Sequence, residues 1–372
     1  EITIGDWSSD VCSSDLKVFT SSTLKALIQK QRCILVSLEK SEIVHIIECT
    51  SDILNGCFSR SGRYLALTTM SKSLLVYDVS SYACLSNRTM EKKCSSILSC
   101  EYQGKEYVIV GDKVGDISIY DFPATENRKF LMGHFGTVIT DLVFVGDYLA
   151  SSDRDEKVFV CQFPKTYLIQ SICVGHKQFV SCITSIDRFL LSGSADGTVR
   201  LWDAASGCEQ HRWFLDEILN IESEEETILI PQQLFMLDKE WCLCLVEESS
   251  KLVALNVKDT SKTKAIVLDA CPVSVTRESS EVVVMTQDLR FYAAQVKDGE
   301  VVAEEKKTAL TETLKEMHYA FEKTMDEIES GELFKQTVKN RFTSSMGLEK
   351  QMEHNKKHRK TERSEERRVG KE

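Results

Sequence analysis

Leu190-Leu191-Ser192-Gly193-Ser194-Ala195-Asp196-Gly197-Thr198-Val199-Arg200-Leu201-Trp202-Asp203 reads as an apolar strand, a tight polar turn and a second strand. A Gly175-His176 pair stands about twenty residues upstream of the turn. The pattern recurs 41 positions earlier in Leu149 to Cys161, preceded by Gly133-His134, with Cys161 where Trp202 would stand. It recurs again in Val108 to Asp121 and in Tyr64 to Asp78, so Tyr77, Tyr120, Cys161 and Trp202 fall at one register, 43, 41 and 41 residues apart. Self-similarity at this period marks stacked supersecondary units.

Gly-His followed by Trp-Asp resembles the WD-repeat signature, in which each repeat is a four-stranded propeller blade. Further strands are expected around Trp241–Leu245, Lys251–Val257, Val282–Met285 and Leu289–Val296, and between Lys17 and Val44. The reading is all-β: a seven-bladed WD-repeat β-propeller over 17–305, its seventh blade incomplete. The N-terminal segment is expected to be missing, leaving an open edge between the first and last blades. Residues 306–363 read as a helical and basic tail. Leu310, Leu314, Met317, Phe321, Met325 and Ile328 recur at helical spacing, to pack on the propeller or meet a partner. Residues 1–16 and 364–372 lack periodicity in register with their neighbours and read as sequence artefact, with disordered tails as the alternative.

Several residues of the repeat have a structural task. His176, Ser192, Asp196 and Trp202 are expected to form a buried hydrogen-bonded chain, with His134 and Asp155 as the counterparts one blade earlier. The His, Ser and Asp are not read as a catalytic triad, because their spacing is the repeat's own and no nucleophile elbow accompanies them.

The chain has 372 residues, 42% hydrophobic and 28% charged, with a net charge of -11. No apolar run approaches the length of a spanning helix, and no leader pattern opens the chain. Fourteen cysteines sit mostly singly in strand-like runs, as Cys57, Cys161, Cys173, Cys182 and Cys271 do, and read as buried thiols in a reducing compartment. Cys242-Leu243-Cys244 lacks zinc-ligand spacing. No nucleotide-binding, P-loop or zinc-protease motif is present. An acidic protein of this kind should avoid nucleic acid or touch it through a local patch. The dense basic run is His354 to Arg363, where Lys356, Lys357, Arg359 and Lys360 are candidate RNA contacts, a nuclear localisation signal, or simply solvated. Asp153-Arg154-Asp155-Glu156-Lys157 places five consecutive charges at a blade turn. Asp155 aligns with Asp196, which leaves Arg154, Glu156 and Lys157 to point outward as a partner contact or a solvated turn.

Three runs carry a more specific likeness: Ser152-Asp153-Arg154-Asp155-Glu156-Lys157-Val158, Gly175-His176-Lys177-Gln178-Phe179-Val180-Ser181, and Ser194 through Trp202. With Phe58 to Thr68, Asp112 to Asp116 and Leu333-Phe334-Lys335, they resemble the non-catalytic subunit of the tRNA (guanine-N7)-methyltransferase, the family called Wuho in flies. The likeness covers about Lys17 to Lys360. It implies a protein that does no chemistry and holds no cofactor. A separate Rossmann-like subunit would bind S-adenosylmethionine and methylate a variable-loop guanine of tRNA. The propeller would dock that subunit by its side, stabilise it and help hold the tRNA. Carried over, Arg154, Glu156 and Lys157 are the expected partner contacts, with Lys113 and Lys177 on neighbouring blades. Some family members have a basic residue where Phe159 stands, so an apolar contact is expected there. The nucleus is the expected compartment, with the cytoplasm as a second. The alternatives are a general interaction scaffold, such as a ubiquitin-ligase substrate receptor, and a propeller enzyme. The first is weakened by Ala204-Ala205 after Trp202-Asp203, where such receptors often carry Trp-Asp-x-Arg.

Overall fold

A computed structural model describes residues 16–221, 229–278 and 280–306. They form seven four-stranded antiparallel sheets, each a meander in chain order. Blade 1 holds β1 (Leu16–Thr20), β2 (Leu24–Gln29), β3 (Arg32–Ser37) and β4 (Glu42–Glu48). Blade 2 holds β5 (Ile53–Phe58), β6 (Tyr64–Thr69), β7 (Ser73–Asp78) and β8 (Cys84–Thr89). Blade 3 holds β9 (Cys94–Tyr102), β10 (Lys105–Asp112), β11 (Asp116–Asp121) and β12 (Arg128–Gly133). Blade 4 holds β13 (Ile139–Val145), β14 (Tyr148–Asp153), β15 (Lys157–Gln162) and β16 (Ile169–Val174). Blade 5 holds β17 (Val180–Ile186), β18 (Phe189–Ser194), β19 (Thr198–Asp203) and β20 (Glu209–Phe214), followed by a short helix α1 (Leu215–Leu219). Blade 6 holds β21 (Pro231–Met236), β22 (Trp241–Val246), β23 (Lys251–Asn256) and β24 (Lys264–Val267). Blade 7 holds β25 (Pro272–Glu278), β26 (Glu281–Thr286), β27 (Phe291–Lys297) and β28 (Glu300–Glu305).

The first strands of successive blades face one another around the ring. The second strands are covered on both faces, so β2 and β22 are buried at every residue, whereas the outer strand β4 alternates with solvent. This explains the continuous apolar runs in the sequence: each sheet is sandwiched between two others. Seven buried apolar clusters result, one at each junction between neighbouring blades.

The register position seen in the sequence has a physical meaning. Tyr77, Tyr120, Cys161 and Trp202 lie opposite Leu65, Val108, Leu149 and Leu190 on the third strands of blades 2 to 5. Each packs at the junction with the preceding blade. Val36, Leu255 and Ala294 occupy the same place in blades 1, 6 and 7.

Two expectations are corrected. The seventh blade is complete, with four strands. The first and last blades also meet closely. Val18, Leu27, Ile34 and Val36 pack with Val283, Met285, Leu289 and Phe291, and the Lys25 ammonium pairs with Glu278 across the junction. Side-chain packing closes the ring here, because β1–β4 and β25–β28 each stay within one blade. The predicted helix from Leu310 to Ile328 lies outside the described residues. None of the thirteen described cysteines is in a disulfide. Cys161, Cys173, Cys182, Cys242 and Cys244 are buried, while Cys57 and Cys271 are half-buried and Cys84 and Cys208 exposed. Burial pushes the Cys161 thiol up to about 11 and that of Cys173 to about 12. Neither is a nucleophile at neutral pH.

Candidate protein-docking face

Because each blade is an up-and-down meander, its second-to-third-strand turn and its connection to the next blade emerge on the same face of the ring. Hydrogen bonds between the two kinds of loop build that face. In blade 5, the His176 imidazole lies 3.0 Å from Asp196 through Nδ1 and 2.7 Å from Ser192 through Nε2. The Trp202 indole donates to Ser192 Oγ at 2.8 Å. An indole can only donate, so Ser192 accepts from Trp202 and donates to His176, whose other nitrogen donates to Asp196. Burial works to raise the Asp196 carboxyl. The His176 ring, the Thr198 hydroxyl and the Arg200 guanidinium outweigh it and hold the group well below the usual carboxylate range. All four network residues are buried, which leaves no room for a substrate. The network fixes the turn.

Blade 4 repeats the device with a correction. His134 bonds Ser151 at 2.7 Å and Asp153 at 2.8 Å; the acid is Asp153, not Asp155. Asp153 ends β14 at the position that Ser194 takes in β18. Its carboxylate reaches the histidine from the strand end, whereas Asp196 reaches it from within the turn. The other oxygen of Asp153 accepts from the amides of Asp155 and Lys157 at 2.9 and 3.0 Å. With Cys161 in place of tryptophan, no indole donates in this blade. Phe159 instead packs edge-on against His134, with centroids 4.4 Å apart.

The correction releases Asp155 to solvent. Arg154, Asp155, Glu156 and Lys157 are all exposed. Glu156 adopts φ 74°, where the equivalent turn of blade 5 has Gly197 at φ 73°. A non-glycine residue in the left-handed region costs about 1–2 kcal/mol. Lys113 sits half-buried in the blade 3 turn and Lys177 exposed in the connection from blade 4 to blade 5, both on this face. The structure therefore brings Lys113, Arg154, Glu156, Lys157 and Lys177 to one side of the ring. Phe159 lies apart from them, half-buried in β15. Lys356, Lys357, Arg359 and Lys360 lie outside the described residues.

The sequence reading missed an apolar strip beside this turn. β16 is the outer strand of blade 4, and Ile169, Ile172 and Val174 are exposed on it. Tyr167 and Leu168 in the preceding turn, and Phe130 on the outer strand of blade 3, are exposed as well. Val174 pairs with Lys157 and Ile172 with Phe159, so the strip runs directly into the charged turn. On the loop side, Phe135 is fully exposed between the turns of blades 3 and 4. Contiguous exposed apolar surface rimmed by charge is the usual form of a protein-docking patch. A strand in this sequence context looks like core. Only its place at the outer edge reveals it as surface.

Among the described residues no His, Cys, Asp and Glu cluster could hold a metal ion, and no helix is long and apolar enough to cross a membrane.

Comparison with solved structures shows the fold. The β-propeller domain of Cps50 (Swd1) from Myceliophteria thermophila superposes with a TM-score of 0.61 at 11% identity, covering 76% of this chain and 96% of that one. U3-55K gives 0.62 at 17% identity, covering 74% and 90%. Two similar proteins are named tRNA (guanine-N(7)-)-methyltransferase non-catalytic subunits. WDR4 of Homo sapiens is 35% identical over 179 residues, covering 46% of this chain and 42% of the relative. Wuho of Drosophila grimshawi is 36% identical over 163 residues, covering 42% of each. The chain thus spans about two fifths of the length of these curated relatives. Residues 121–312, which include all of blades 4 to 7, match the family described as the tRNA methyltransferase TRM82 WD40 domain. The chain belongs to that family.

Proposed function

We propose that this protein is the non-catalytic subunit of a heterodimeric tRNA (guanine-N7)-methyltransferase. It docks and stabilises a catalytic subunit that binds S-adenosylmethionine, and it helps position tRNA for methylation of a variable-loop guanine. The observation that carries the docking role is the continuity of the β16 strip with the Arg154–Lys157 turn. An apolar centre meets a charged rim on one rigid blade, which suits hot-spot burial with charge-selected orientation. The family membership supports a tRNA methyltransferase as the partner. Nuclear residence, with the cytoplasm as a second site, belongs to the same reading and rests on the basic run near Lys356.

The test is co-expression of residues 17–363 with the candidate catalytic subunit, followed by size exclusion and a tRNA methylation assay. A one-to-one complex that methylates tRNA is expected, and Lys157→Glu or Ile172→Asp should weaken it at unchanged melting temperature. A monomeric propeller that leaves the methyltransferase unaffected would return the protein to the general scaffold class.

A further inference from the structure

Charge on the loop face is segregated. The loops of blades 5 to 7 on that face carry Asp216, Glu217, Glu247, Glu248, Asp269 and Asp288 against two cations: Arg290 pairs with Asp269 and Asp288, and Lys251, at the start of β23, donates to the Leu219 carbonyl at 2.6 Å. Blades 2 and 3 are the reverse. Lys72 lies in the β6–β7 turn, Lys92 and Lys93 in the β8–β9 connection, and Lys113 in the β10–β11 turn. These loops form one ridge, because backbone bonds tie each to the next. Met90 donates to the Lys72 carbonyl at 2.7 Å and Lys113 to the Lys93 carbonyl at 3.1 Å. Of the acids there, Glu91 is held by Arg128 at 2.5 Å, Asp112 is buried and accepts from the Val114, Gly115 and Asp116 amides, and Asp116 is half-buried at the start of β11. Lys72 and Lys92 are exposed, and Lys72 takes φ 64° at the tip of its turn.

A protein of net charge -11 gains nothing in solubility from a local lysine ridge. A neighbouring run of phosphates would gain much, through release of its counterions. We infer that Lys72, Lys92 and Lys93, continuing towards Lys113, are a phosphate-contact ridge for the folded RNA substrate of the complex. The inference rests on the docking role proposed above. The ridge leads along the same face, by way of the His134–Val138 connection, to the blade 4 turn. His134 donates to the Gly115 carbonyl at 2.9 Å and Arg154 to the Val138 carbonyl at 3.0 Å. RNA held by a catalytic subunit docked at blade 4 would therefore lie alongside the ridge. The lysines read no base; they supply affinity and register.

The experiment measures tRNA binding by the assembled complex across a salt series, wild type against Lys72→Ala/Lys92→Ala/Lys93→Ala. Loss of three phosphate contacts should make the slope of log affinity against log salt shallower by about two to three, with co-elution of the subunits unchanged. A control variant on the opposite face, Lys40→Ala/Lys165→Ala, should leave the slope as it was. An unchanged slope in the triple variant overturns the ridge, as does an equal effect in the control. Dissociation of the subunits by the triple variant would make the ridge a protein contact and overturns it too. If the wild-type subunits fail to assemble, the docking reading has failed. The ridge is then tested by the same series on the propeller alone.

Discussion

Asp153 and Asp155 stand two residues apart and should behave as opposites. Asp153→Ala removes the buried partner of His134 and the acceptor of two turn amides. It should cost about 2–4 kcal/mol in urea unfolding. Asp155→Ala touches only solvent and should stay within about 0.5 kcal/mol. An equal loss in both would refute the assignment of the turn. Glu156→Gly relieves a left-handed backbone and should raise stability by about 0.5–1 kcal/mol, while slowing association with the catalytic subunit. A lower melting temperature would contradict this. Asp141 on β13 gives a pH signature. Burial pushes its carboxyl up to about 6, against the pull of the Ile183 and Leu142 amides and the Ser96 hydroxyl. A carboxyl raised on folding favours the fold below its unfolded value, near 4, and that contribution is lost as pH rises through about 6. Asp141→Asn should therefore flatten the fall in stability between about pH 4 and 7. A wild-type stability that rises over that window in parallel with the variant would rule the effect out.

At the scale of elements, legibility followed the specificity of the side chain at one position. Tyr77, Tyr120, Cys161 and Trp202 stand at one spacing, and two of the blades carry Gly-His pairs, so blades 2 to 5 could be read in order. Val36, Leu255 and Ala294 do the same packing in blades 1, 6 and 7 with ordinary aliphatics. Helix α1 and the residues after it stretch the interval from Trp202 to Leu255 to 53 residues, which hides the period and made the last blade look incomplete. The charged turn was legible because five successive charges are conspicuous. The exposure of β16 was not, since strand periodicity shows that residues alternate but not which strand has no further neighbour. β16 also carries an element-scale prediction. As an unpaired apolar edge, it should make the isolated propeller self-associate at high concentration, and Ile172→Asp should suppress this in light scattering. Unchanged association in that variant would show that β16 is not the sticky edge.

For the whole molecule, the weak point is the junction of blades 7 and 1, the one junction that no chain connection spans among the described residues. Polar side chains stitch several other junctions near the inner strands. Asn55 donates to the Ser95 carbonyl at 2.8 Å, Ser181 to that of Pro231 at 2.6 Å, and Gln233 exchanges two bonds with Val275. At the closing junction, Lys25 and Glu278 take this part beside the apolar cluster. Lys25→Met alone leaves Glu278 in low-dielectric surroundings without its ion partner and should cost about 2–4 kcal/mol. Lys25→Met/Glu278→Leu should recover most of it. Closure matters for function because the ridge, the charged turn and the β16 strip keep their relative places only on a closed ring. The most direct test of that whole is assembly itself: size exclusion of the chain with its candidate catalytic subunit and a tRNA methylation assay, wild type against Ile172→Asp. A one-to-one active complex that the aspartate disrupts without unfolding the propeller is expected. A complex indifferent to Ile172→Asp would contradict docking through blade 4, and the absence of any complex would contradict the subunit role.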